Sequence, residues 1–299
     1  MFGVLAKLPL YIFFRLFHWP RMLPMNYTFS VSYKCNSRCK TCNVYERESN
    51  DLTVEEWKKV FTGLRRSLFW ATISGGEPFL RADLKEIVRS LYDICKPSII
   101  NIPTNGILSD KIVYDVTAIA AYCKKSQIVI NVSIDDIGEK HDLIRGISGN
   151  YQKVCETFKR LKGLGASNLS VGIHTVISKY NVKDVSTIYE QLVSLNPDSY
   201  ITEIAEEREE LKTKGMDISP SYDDYVAVVD FLIKKLQCAT YTKIGKLTRI
   251  FRIEYYKLVK RILLEKRQVR AYSTGLYRIS RRIWTRLPEG PLLISENGA

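Results

Sequence analysis

Apolar and polar residues change period along this chain in a recurring way. Tyr27 to Tyr33 alternates from residue to residue, the two-residue period of a half-buried strand. Farther on, Thr53 followed by Glu56 makes a capping box, and Trp57, Val60, Phe61 and Leu64 fall at helical spacing behind it. The same change then repeats. Ala71 to Ser74 predicts a strand, and Leu84, Ile87, Val88 and Leu91 a helix. Ser98 to Ile102 predicts a strand, and Asp110 to Lys124 a helix. Ile128 to Ile134 predicts a strand, and Val154, Phe158 and Leu161 a helix closed by Gly163 and Gly165. Leu169 to Ile177 (strand), Val182 to Leu195 (helix) and Ser199 to Ile204 (strand) complete the series. Strands that alternate with helices pair in parallel through right-handed crossovers. The class is therefore α/β, with a sheet that is either doubly wound or barrel-like.

The flanks have a different character. Glu203 to Glu210 is acidic around Arg208, and two helical patterns follow, over Tyr222 to Gln237 and Lys246 to Lys266. Residues 1–25 predict an apolar N-terminal helix, residues 26–210 the β/α region and residues 211–299 a mainly helical extension. The N-terminal stretch carries Phe2, Leu10, Phe13, Phe14, Phe17 and Trp19 but is interrupted by Lys7, Arg15 and His18. It is too short and too charged for a membrane span. Two readings remain: an amphipathic helix lying on a membrane surface, or a helix docked over one end of the sheet.

Composition adds two constraints. The 299 residues carry a formal charge of +13, and from Tyr241 onward five Lys and nine Arg stand against four Glu. A basic tail suits an anionic substrate, nucleic acid or a membrane surface, or is simply a solvated helix face. Its aromatics Phe251, Tyr255, Tyr256 and Tyr272 interleave at helical spacing and read as core, which disfavours nucleic acid. The seven cysteines form no regular framework of pairs, which points to a reducing cytoplasm rather than to secreted disulfides.

Three of those cysteines, Cys35, Cys39 and Cys42, fall within eight residues just after the first strand. Thiolates this close on one loop can wrap one compact metal centre. Three ligands leave one iron of a four-iron cube open, and an open iron is a place for chemistry. Zinc is the alternative, but structural zinc sites usually pair two such half-motifs, and no second half stands near this loop. Other polar motifs also follow strand ends, where both candidate architectures place their sites. Ser74-Gly75-Gly76-Glu77-Pro78 leaves backbone bare for close approach, or is only a turn. Thr104-Asn105-Gly106 is a turn former or a pocket edge. Val132-Ser133-Ile134-Asp135 ends the fourth strand, and His141 and Arg145 follow it. Cys95, Cys123, Cys155 and Cys238 lie on predicted helices and read as small core residues.

The C-x3-C-x2-C loop, the Gly-Gly-Glu-Pro run and the fourth-strand segment together resemble the radical S-adenosylmethionine enzymes. The resemblance covers Tyr27 to Ile204. It implies a partial (β/α)6 TIM-like barrel and a [4Fe–4S] cluster held by Cys35, Cys39 and Cys42. It further implies S-adenosylmethionine chelated at the open iron and split reductively to a 5′-deoxyadenosyl radical, which takes hydrogen from a substrate. By the same resemblance Gly75, Gly76 and Glu77 shape the pocket for the cofactor amine, although Glu77 also suits an anchor for its own loop. Thr41, Asn105 and Ser133 line the pocket, and Arg145 pairs with the cofactor carboxylate unless it is a surface residue at a helix start. Thr41 departs from the large residue often found there. No catalytic side chain is nominated. Implied partners are a peptide, protein or envelope-lipid substrate and a low-potential electron donor such as ferredoxin or flavodoxin. The apolar N-terminus adds a peripheral membrane contact to the expected partners where its helix lies on a membrane surface rather than docking on the sheet.

Leu263 to Gly275 resembles the lead-in to the auxiliary-cluster region of the SPASM/Twitch subgroup, yet no cysteine follows Cys238. That pattern reads as a degenerate, truncated or frame-shifted region. The rival expectation for the chain as a whole is a non-catalytic metal-binding protein that contacts membrane or nucleic acid.

Overall fold

The computed structural model describes residues 8–19, 23–238 and 252–261. The chain divides into two compact units, one of residues 1–176 with 192–203, the other of residues 177–191 with 204–299. The segment resembling an auxiliary-cluster lead-in, Leu263 to Gly275, lies outside the described residues.

The first unit is built on a single sheet. Its strands are β1 (Asn26–Ser32), β2 (Trp70–Gly75), β3 (Ile99–Thr104), β4 (Gln127–Ser133), β5 (Leu169–Ile177) and β6 (Ser199–Ile204). Their order across the sheet is their order along the chain, and the registered pairs from β1 to β5 are parallel. A doubly wound sheet reverses its order at a switch point. This one never reverses, so it is wound in one direction, as a barrel is, and the six β/α units expected from the sequence are present.

Alternation gives the sheet two unlike faces. Ala71, Ile73, Ile100, Ile102, Ile128, Ile130 and Val132 are fully buried on one. Helices α2 (Val54–Leu64), α3 (Leu84–Cys95), α4 (Ser109–Tyr122) and α6 (Asn150–Lys162) contribute Phe61, Ile87, Leu91, Ile112, Val116 and Leu161 to the buried core. The capping box is formed as expected: the Thr53 hydroxyl accepts from the Glu56 amide, and the Glu56 carboxylate accepts from the Thr53 amide at 2.8 Å. Phe29 of β1 meets Trp57 and Phe61 of α2 edge-on at 5.9 and 5.4 Å. The opposite face is polar. There the Trp70 indole donates to Thr72, Asn101 donates to Thr72, and Asn131 donates to Asn101 at 2.8 Å.

Cys95 and Cys123 are buried, in keeping with a core role. Cys155 is only half-buried and Cys238 is exposed, so the sequence-based expectation of four core thiols holds for two. Ahead of the sheet, α1 (Leu8–Phe17) and the residues after it leave Leu10, Phe13, Leu16, Phe17 and Trp19 between 43% and 69% exposed. Among the described residues no helix is long and apolar enough to cross a membrane.

In the second unit, Ser178 and Asn181 close a tight turn, with the Ser178 amide donating to the Asn181 side chain at 2.8 Å. Helix α8 (Tyr222–Cys238) buries Tyr225, Val229 and Leu232. Its Phe231 ring meets Tyr189 edge-on at 5.5 Å, and its Asp230 pairs with Lys260 at 2.7 Å.

Candidate functional site

The cysteine loop leaves β1 and is pinned at its start by the glycine pair. The Gly76 amide donates to the Ser32 carbonyl at 2.7 Å, and the Glu77 amide to the Lys34 carbonyl at 2.9 Å. A side chain on Gly75 would put its Cβ 2.0 Å from the Ser32 oxygen, and one on Gly76 would stand 2.2 Å from the Lys34 oxygen. Gly75 also has φ of +136°, which side chains rarely adopt. The two glycines are therefore needed for the approach of one protein backbone to another. The bare backbone expected from the sequence is real, and it faces β1 and the cysteine loop.

Farther along, the loop is bonded to the end of the short helix α5 (Glu139–Arg145). The Arg38 amide donates to the Arg145 carbonyl at 3.0 Å and the Lys40 amide to the Ile144 carbonyl at 2.8 Å. Helix C-termini leave such carbonyls unpaired; here the cysteine loop takes them. Gly146 caps α5 in the left-handed region (φ +67°), and a Cβ there would lie 2.3 Å from the Arg38 carbonyl oxygen.

Cys35 and Cys39 lie between these anchors and Cys42 just beyond them. Burial raises the pKa of each, that of Cys42 to about 11, although backbone N–H groups and Arg145 act against it at all three. Cys42 feels the charge of both Cys39 and Cys35. Among the described residues no group of three or more ligating side chains is close enough to hold one metal ion. A single zinc draws its sulfurs to about 2.3 Å from one centre. Three thiols that bind different irons of one cluster need not converge on a single ion.

Glu77 is buried, and its carboxylate accepts from the Phe79 amide at 3.1 Å, the Thr104 hydroxyl at 2.9 Å and the Asn105 amide at 2.7 Å. Burial nevertheless pushes its pKa up to about 7. Of the two roles the sequence left open for Glu77, loop anchor is the one these bonds serve. Asn105 is buried as well. Its side-chain amide donates to Asn36 at 2.7 Å and to Ser37 at 3.2 Å, and lies 4.0 Å from the Cys35 sulfur. The β3 rim thus holds the Cys35 side of the loop.

The β4 rim holds the Cys39 side. Arg145 ends α5 and is buried, so it is not a surface residue at a helix start. Its Nε pairs with Asp135 at 2.7 Å and its Nη1 donates to the Cys39 sulfur at 3.8 Å. Burial opposes the guanidinium charge, but Asp135 and Cys39 outweigh it and hold the group ionised. Asp135 also accepts from the Val176 amide at 2.8 Å. The Asp135 amide donates to His141 Nδ1 at 3.1 Å, and burial lowers the His141 pKa to about 4, leaving a neutral strut. Thr41 is buried within the loop, and Ser133 lies half-buried on the polar face of the sheet.

Sequence reasoning gave no role to Asp135, Gly146 or His174. A signal for Asp135 was present: two adjacent aspartates end an otherwise apolar strand. His174 sits beside Ser133 in register, and its Nε2 is 3.6 Å from the Glu203 carboxylate. Burial keeps that imidazole below its ordinary pKa, against the pull of Glu203.

A singly wound β/α sheet with a three-thiol loop on its first strand defines a class of cluster-dependent enzymes. Residues 29–192 match the Radical SAM superfamily, and the chain belongs to it. An iron–sulfur cluster and S-adenosylmethionine come with that membership. The chain is 28% identical over 173 residues to Fe-coproporphyrin III synthase of Methanosarcina barkeri, covering 54% of this chain and 39% of that protein. It is 28% identical over 148 residues to the antilisterial bacteriocin subtilosin biosynthesis protein AlbA of Bacillus subtilis, covering 48% and 32%. The chain thus spans well under two thirds of these relatives. In fold it resembles SuiB of Streptococcus suis bound to its precursor peptide SuiA. The TM-score is 0.60 and the identity 15%, over 79% of this chain and 51% of that one.

Proposed function

We propose that Cys35, Cys39 and Cys42 hold a [4Fe–4S] cluster and that Thr41, Gly75, Gly76, Glu77, Asn105, Ser133 and Arg145 frame the S-adenosylmethionine beside it. When bound together, these two groups supply a 5′-deoxyadenosyl radical that takes a hydrogen atom from a substrate. The chain's own part is to hold, orient and shield. Buried Glu77 and Asn105 fix the loop from the β3 side, and Asp135 with Arg145 fixes it from the β4 side. A rim bonded this completely limits water near a reactive carbon radical. The single observation that carries the reading is the loop of three thiols bonded on one flank to the glycine pair and on the other to the end of α5.

The substrate class we favour is a peptide or protein. The bacteriocin named for AlbA and the precursor peptide in the SuiB structure support it. The β5–β6 rim, with His174 and the more exposed Glu203, is the side we assign to that substrate. A low-potential carrier such as ferredoxin or flavodoxin suits the exposed cations Lys34, Arg38 and Lys40 on the cysteine loop. The test is anaerobic reconstitution with iron and sulfide, reduction with dithionite and assay for 5′-deoxyadenosine. The reconstituted chain is expected to be brown and to release the nucleoside, and Cys39→Ala to lose both. A colourless chain without iron or sulfide sinks the proposal.

A further inference from the structure

Arg145 is bonded to the cysteine loop on one side and paired with the end of β4 on the other. Its backbone carbonyl accepts from Arg38, its Nη1 donates to the Cys39 sulfur at 3.8 Å, and its Nε pairs with Asp135 at 2.7 Å. A guanidinium grips a carboxylate with two parallel N–H groups, either Nε with one terminal nitrogen or the two terminal nitrogens together. Here Nε lies 2.7 Å from the Asp135 carboxylate as an ion pair, and Nη1 donates to the Cys39 sulfur.

We infer that Arg145 is a positioning residue that sets the reduction potential of the cluster through its bond to the Cys39 sulfur, with Asp135 holding the guanidinium in place. The inference rests on the function proposed above. Potentials of iron–sulfur clusters follow net charge, hydrogen bonds to sulfur and exposure to solvent. A buried cation bonded to a ligating thiolate stabilises the more negative, reduced cluster and raises its potential. The adjacent Asp135 carboxylate acts in the opposite sense. Because Asp135 also takes the Val176 amide at 2.8 Å, its own position is fixed by β5, and the pair stays registered to the sheet.

The experiment is a potentiometric titration of the full chain after anaerobic reconstitution, followed by electron paramagnetic resonance. The variants are Arg145→Met, Arg145→Lys and Asp135→Asn. Arg145→Met is expected to lower the potential, shifting the oxidised-to-reduced ratio at fixed potential by at least about tenfold, equivalent to 59 mV for one electron. Arg145→Lys, which keeps the charge, should stay closer to the parent chain. Asp135→Asn should move the potential the other way. If Arg145→Met fails to load, the Asp135→Asn shift decides: upward supports the inference, unmoved or downward overturns it. A loaded Arg145→Met chain with the parent potential and a loss confined to S-adenosylmethionine binding also overturns it. A parent chain that takes up no iron or sulfide overturns the functional reading itself.

Discussion

The two ends of the sheet treat charge in opposite ways. At the rim of β2 to β4, Glu77, Asp135 and Arg145 are buried: hydrogen bonds reach both Glu77 carboxylate oxygens and one of Asp135, and Arg145 donates to Cys39 and forms an ion pair with Asp135. At the rim of β6 the Glu203 side chain is 57% exposed, and His174 stands 3.6 Å from its carboxylate. A buried charge survives only when it is paired and bonded. The first rim has therefore committed its polar groups to one arrangement. The second keeps the Glu203 carboxylate at the surface, which is the condition a site needs when its ligand arrives from outside.

That contrast predicts unequal responses to substitution. The largest belongs to Gly76→Ala. Its Cβ would meet the Lys34 carbonyl oxygen at 2.2 Å, a contact between backbones with no flexible side chain to yield. A loss of about 3 kcal/mol in urea unfolding is expected from such overpacking, together with poor iron uptake on reconstitution. If Gly76→Ala unfolds like the parent chain, the first rim is looser than its bonds imply.

A graded effect follows from Glu77. In the fold burial raises its pKa to about 7, against an ordinary value of 4.5. The folded chain thus holds a proton that the unfolded chain has released. The stability linked to this proton is complete below about pH 4.5 and is lost as pH rises through about 7. At 1.36 kcal/mol per unit the swing is roughly 3 kcal/mol. Glu77→Gln should flatten this part of the stability–pH curve. It should also lower stability throughout, because its amide nitrogen cannot accept from Phe79 or Asn105. An unchanged slope in denaturation series between pH 4.5 and 7.5 would assign the titration elsewhere.

The smallest effect is expected at Glu203. An exposed carboxylate away from close packing contributes within about 0.5 kcal/mol to stability. Glu203→Ala should leave the unfolding midpoint and cluster content as they are and alter only turnover of a peptide substrate. A marked fall in stability would place Glu203 with the committed rim and erase the contrast.

Much of this was legible before the structure. β5 and β6 have the bounds their patterns predict, and β4 is displaced by one residue, because period and β-branching are local signals. Helix α5 was not legible as a helix ending in Arg145. Its seven residues make too few turns to show a period. The predicted helix from Val182 begins instead as a 3-10 turn through Asp184 before α7 (Val185–Val193). In the site, the residue types could be read but not their addresses. Gly75 and Gly76 announce a close approach, yet nothing local says that the approaching atoms belong to Ser32 and Lys34. Asp135 and Arg145 lie ten positions apart with no periodic relation, so their pairing appears only once α5 folds back over the end of β4.

The bond between Arg145 and Cys39 joins residues 106 positions apart. During synthesis the thiols emerge first, and at roughly 5–20 residues per second the arginine follows about 5–20 s later. For that interval the nascent loop has neither its buried cation nor the carbonyls that fasten Arg38 and Lys40. Iron delivered early would meet three unrestrained thiols. The order of translation therefore favours maturation after the fourth strand has left the ribosome.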